Sequence, residues 1–146
     1  MNIALGICLV LVCAVIQAAM IAGMLRALHH LSVGAHRVRS YLFDMVVLSS
    51  VLIALFLGML IQVLVWAISF FLIGEISGLH KAFYFSYVNF TTLGYGDITL
   101  SPAYAVLGPM EASNGILMLG LSTSFLYLVA VKLGRAREKH RPDNVP

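Results

Sequence analysis

From Ile3 to Leu25 the chain carries no charged residue, and Gln17 is the only strongly polar one. A bilayer core about 30 Å thick takes roughly 20 apolar residues as a helix, and inside it every backbone N–H and C=O must be paired within the segment. This run of 23 residues is therefore predicted to span a membrane. A second run, Met45 to Ile73, is interrupted only by Ser49, Ser50, Gln62, Ser69 and small residues, and it is long enough to span with tilt. Asp44 sits where a negative charge favours a helix N-terminus, and Trp66 falls toward the far end, where an amphipathic ring suits the headgroup level. The third run, Ala103 to Leu133, carries Glu111 as its one acidic residue. With 146 residues, 61% hydrophobic and 10% charged, three spans leave no room for a large soluble domain. The expected fold class is an all-α membrane protein with three transmembrane helices.

Between the second and third runs the pattern changes. Gly74 to His80 holds two glycines and Glu75, and Lys81 to Phe90 then forms a short segment bearing Phe83, Tyr84, Phe85, Tyr87 and Phe90. Ten residues cannot cross a bilayer as a helix, so this segment is predicted to be re-entrant. Gly94, Gly96 and Pro102 mark irregular backbone after it. Such backbone is tolerable at membrane depth only where protein or a water-filled cavity surrounds it.

The pI near 9.1 does not point to nucleic acid, because the basic residues are not gathered on a polar domain. Three of the nine lie in the connection from Arg26 to Ser40 and five in the tail, at Lys132, Arg135, Arg137, Lys139 and Arg141. Short inward-facing loops collect Lys and Arg, so both stretches are expected to be cytoplasmic, with the N-terminus and the region from Gly74 to Pro102 outside a cell membrane. A cleaved leader is the competing reading of the first run. It would need a basic segment before it and a shorter apolar stretch, and neither is present. The resulting division is 1–40 for an N-terminal span and basic connection, 41–134 for the two further spans with the re-entrant segment between them, and 135–146 for a basic tail. Cys8 and Cys13 fall on different faces of one helix and are read as packing or lipid-facing residues. His29, His30, His36 and His140 would all be cytoplasmic, either solvated or able to sense protons.

At Thr91-Thr92-Leu93-Gly94-Tyr95-Gly96-Asp97 the sequence resembles the filter signature of the potassium channel superfamily, and the resemblance covers about Asp44 to Leu133. It implies an outer helix, a re-entrant pore helix, a selectivity filter loop and an inner helix. Filters of that superfamily replace the hydration shell of K+ with rings of backbone carbonyls. By resemblance, the carbonyls of Thr92, Leu93, Gly94 and Tyr95 and the hydroxyl of Thr92 would bind K+. Gly94 and Gly96 stand where inward-aimed carbonyls demand positive φ. One loop cannot encircle an ion, so four copies are implied, a fourfold homotetramer. Tyr95 would point into aromatic packing behind the filter, and Asp97 would attract cations just outside it. Three departures are visible. Leu93 replaces the more usual valine, and Phe85 stands where some relatives carry a tryptophan bonded to the filter aspartate. Val88 stands where one bacterial relative carries glutamate.

Beside the filter, Tyr84, Phe85, Asp97 and Glu111 are candidates for its support. Glu111 lies in an apolar helix, where an ionised group costs about 3 kcal/mol or more at the bilayer centre, and Asn114 at i+3 is its expected partner. The alternative is a carboxylate near the outer surface. Gly115 and Gly120 are candidate hinges, or else close-packing positions, and Leu117, Leu121, Ser124 and Leu128 are candidate cavity-lining residues by helical spacing. No phosphate-binding glycine motif, metal-ligand cluster or nucleophile with an evident base stands out, so neither an enzyme nor a bound cofactor is expected, and the partners are membrane lipid, K+ and further copies of the chain. A nonselective monovalent cation channel, a transporter with related loops, and a nonconducting scaffold or modulatory subunit are the competing readings.

Overall fold

The structure, a computed structural model, describes residues 2–34 and 41–138, with side chains for 2–28 and 41–135. The chain is all-α: α1 covers Asn2–Gly34, α2 Tyr41–Leu72, α3 Leu79–Phe90 and α4 Leu107–Glu138. Three of these are long and apolar enough to cross a membrane, namely α1, α2 and α4. The fourth, α3, has 12 residues and cannot. His36, Arg37, Arg39, His140 and the end of the tail lie outside the described residues.

Two boundaries differ from the sequence reading. The polar connection expected from Arg26 is instead helical as far as Gly34. Arg26, Ala27 and Leu28 are good helix formers, and no proline or glycine intervenes before Gly34. The inner helix begins at Leu107 and not at Ala103, after a run of turns. Pro109 is the cause. Had the helix started at Ala103, Pro109 would sit in its interior, lacking an N–H and pressing on a preceding carbonyl, whereas from Leu107 it falls in the first turn.

Two apolar clusters stack along the bundle. The one on the loop side joins Cys13 of α1, Trp66 and Phe70 of α2, Phe85 and Phe90 of α3, and Leu107 and Met118 of α4. Within it the Phe70 and Phe85 rings meet edge to face at 5.2 Å, a favoured aromatic geometry. The other cluster joins Val47, Val51 and Leu55 of α2 to Phe125, Val129 and Leu133 of α4. A polar ladder also ties the three long helices together. Gln62 Nε2 donates to Gln17 Oε1 at 2.8 Å, Gln17 Nε2 donates to Ser122 Oγ at 2.9 Å, and Ser122 Oγ donates to the Met118 carbonyl. Amides without partners in hydrocarbon are costly, so this ladder fixes the register of α1 against the other two helices. At the far end, the Asn2 side chain donates to the Ala103 carbonyl, which puts the start of α1 on the same side as the loop between α3 and α4.

Candidate functional site

The end of α3 sets up the loop. Thr92 N–H donates to the Asn89 carbonyl at 2.8 Å and Leu93 N–H to the Val88 carbonyl at 3.0 Å. These are the paired bonds of a Schellman cap, whose C′ residue takes left-handed backbone and is usually glycine. The end of α2 shows the usual form, with Gly74 at φ 79° and bonds from Gly74 to Phe71 and from Glu75 to Phe70. At α3 the position belongs to Thr92, at φ 61°, the one described non-glycine residue with positive φ. Gly94 at 58° and Gly96 at 74° repeat that hand, while Leu93 and Tyr95 between them do not. Backbone of one hand alternates its carbonyls from side to side, whereas a switch of hand at every second residue is what ranging successive carbonyls on one side requires. A Cβ added at Gly94 or Gly96 would meet nothing within 4 Å, so φ rather than space dictates glycine there.

Two side-chain contacts tie the loop to its surroundings. Tyr84 Oη donates to Asp97 Oδ2 at 2.8 Å, and this bond raises the tyrosine pKa above its ordinary value by holding the proton on. The Glu75 carboxylate takes Ser101 N–H on one oxygen and Ser101 Oγ on the other, both at 2.8 Å. Such charge-assisted bonds are short and directional. They lash the segment after α2 to the segment after the loop. The sequence reading did not anticipate the Glu75 clamp, because its two ends are 26 residues apart in irregular backbone. Phe85 and Tyr84, both candidates for filter support, differ in setting. Phe85 is buried against Phe70, and the preceding residue, Tyr84, reaches Asp97. Tyr95 is 67% exposed on its own chain and Leu93 56%, so the chain itself supplies no packing for them. A cleft of about 480 Å³, with Phe85, Val88, Asn89, Pro109 and Ala112 in its lining, lies behind the loop.

The candidates on α4 fall in distinct settings. Glu111 is fully buried, close to Ser86 and Asn89 of α3, and Asn114 is buried beside it, yet no hydrogen bond joins the two. At Gly115 a Cβ would stand 1.9 Å from the Phe90 carbonyl oxygen, so the backbones of α4 and α3 touch there and only glycine fits. Gly120 has nothing within 4 Å of its Cβ direction. Gly115 is therefore a close-packing position, and Gly120 makes no such contact within the chain. Ser122, Thr123 and Ser124 bond back to the carbonyls of Met118, Leu119 and Gly120, a pattern that favours helix bending. Leu117, Leu121, Ser124 and Leu128 are exposed along α4, on a different side from the buried Met118, Phe125 and Val129. Among the described residues no group of three or more His, Cys, Asp or Glu gathers as a metal site.

An outer helix, a half-length helix ending in a loop of alternating hand, and an inner helix crossing behind it define a membrane pore domain. The family model for ion channels matches residues 42–132, more than half of the chain. The chain belongs to that ion channel family, and it is a multi-pass membrane protein rather than an enzyme. No curated protein and no solved structure matches it. The family match leaves α1 out, so the first helix is an addition to the matched domain.

Proposed function

We propose that the chain is one subunit of a homotetrameric potassium channel, with Thr92, Leu93, Gly94, Tyr95 and Gly96 as its selectivity filter. The observation that carries this is the positive φ at Thr92, Gly94 and Gly96, falling on the residues where the signature Thr-Leu-Gly-Tyr-Gly demands it. K+ sheds its water to enter such a filter and receives carbonyl oxygens from Thr92, Leu93, Gly94 and Tyr95 in exchange. Four loops around one axis close the rings. Fourfold assembly also supplies cover for Tyr95, whose ring in one copy suits the cleft behind the loop of the next. Leu117, Leu121, Ser124 and Leu128 of α4 then face the central cavity, and Gly120 is where α4 bends. Asp97, held by Tyr84, keeps a negative charge at the mouth.

Reconstitution of the purified chain in lipid vesicles tests the proposal. Under opposed K+ and Na+ gradients the current is expected to reverse near the K+ equilibrium potential, and cross-linking is expected to stop at four copies. A reversal potential that follows the sum of both ions would instead establish a nonselective cation channel. Absence of current from well-folded tetramers would leave a scaffold or modulatory subunit.

A further inference from the structure

Polar side chains from all four helices meet in one buried place. Glu111 and Asn114 lie one turn apart on α4, Ser86 comes from α3, Trp66 from α2 and Cys13 from α1, and none of the five is more than 1% exposed. They form a single cluster, since Ser86 lies against Glu111, and Cys13 lies against both Asn114 and Trp66. Yet both Glu111 carboxyl oxygens, both polar atoms of the Asn114 amide, Ser86 Oγ and Trp66 Nε1 close no hydrogen bond with the protein. Left so, six such atoms would cost an amount comparable to the whole stability of a domain.

The chemistry of the six narrows what can satisfy them. Carboxyl oxygens call for donors, the indole N–H calls for an acceptor, and the amide calls for both. A bare cation would suit the oxygens and be repelled by the N–H groups, and a lipid chain would suit neither. Water donates and accepts at once, and it settles in polar sites that offer two to four partners. A groove of about 240 Å³ between α1 and α4, with Val10, Pro109 and Met110 in its lining, reaches Asn114.

We propose that Glu111, Asn114, Ser86 and Trp66 form a hydration site that holds bound water behind the pore helix, with the Cys13 face of α1 as its wall toward the bilayer. The site is thus built partly from a helix outside the family match. It stands whichever ion the loop selects.

Trp66 is the sole tryptophan of the chain, so its indole reports on the site without ambiguity. The full-length protein, labelled with 15N-tryptophan in lipid bilayers, is examined by solid-state NMR for polarisation transfer from water to the indole N–H. A water cross-peak at Trp66 is expected, unchanged when all Na+ is replaced by K+, and lost when Glu111→Leu and Asn114→Leu are combined. Should the double variant fail to fold, Ser86→Ala removes a single oxygen and is expected to weaken the cross-peak. A wild-type indole that shows no contact with water, and keeps its proton for days in D2O, would overturn the proposal. So would a cross-peak that disappears with Na+, which would assign the site to a cation.

Discussion

Thr92 sits in a backbone region that costs a residue with a β-carbon about 1 to 2 kcal/mol. The same Schellman geometry at Gly74 shows how the chain avoids that cost where nothing but a turn is needed. A strained threonine at the C-terminus of α3 therefore marks a position held for its side chain or carbonyl, as strain at functional sites commonly does. Gly94→Ala would impose the same penalty on each subunit at φ 58°, and it is expected to abolish K+ current while tetramers still assemble, as checked by vesicle flux and cross-linking together. Thr92→Ala keeps a β-carbon at this φ and removes the hydroxyl together with the γ-methyl. It is expected to weaken the innermost ion site and leave the current measurable. At Tyr84 the expectation concerns pH as well. The bond to Asp97 raises the tyrosine pKa, so it is intact throughout the neutral range and is lost only as pH rises through that raised value, above the usual tyrosine range near 10. Macroscopic current at pH 7 and pH 9 is accordingly expected to decay at one rate in the wild type, and several-fold faster in Tyr84→Phe. Equal decay in the variant would show that Asp97 needs no donor.

Among the elements, α4 is the one whose two halves do different work. Its first half is pinned to α3, because a methyl group at Gly115 would collide with the Phe90 carbonyl and no side-chain rotation relieves a clash with backbone. Gly115→Ala is expected to destabilise the packing of α4 on α3 by about 1 to 3 kcal/mol, the usual cost of overpacking, and to lower the yield of folded protein. Gly120→Ala meets no neighbour and is expected to leave thermal stability equal or slightly higher, while the stiffer helix lowers open probability. Single-channel records beside melting curves separate the two effects. The sequence showed both glycines but not which was which, because a close approach between helices depends on their crossing and not on spacing along one of them. For the same reason Gln17 and Gln62 read only as interruptions in apolar runs. Their pairing across 45 residues and the further bond to Ser122 across 105 depend on helix register that no local pattern carries. By contrast, the positive φ at Gly94 and Gly96 was legible in the sequence, since that backbone is readily available only to glycine. The start of α4 was legible too, had Pro109 been weighed as a first-turn residue.

At the scale of the molecule, the three long helices and the contact between Asn2 and Ala103 place the N-terminus on the loop side. From the distribution of Lys and Arg, that side is expected to be the exterior. A membrane-impermeant thiol reagent applied to intact cells is expected to label a cysteine introduced at Asn2 and to spare one at Asp143, in a background with Cys8 and Cys13 replaced. Labelling of Asp143 alone would invert the orientation. The Gln17, Gln62 and Ser122 ladder also has a bearing on how such a chain is made. Synthesis runs from the N-terminus, so α1 enters the bilayer carrying an amide with no partner yet translated. Gln62 arrives first, and Ser122 only after the filter loop has been produced. The order of birth thus favours α1 and α2 docking as a hairpin before the pore loop exists, so that the loop and α4 fold against a wall already standing.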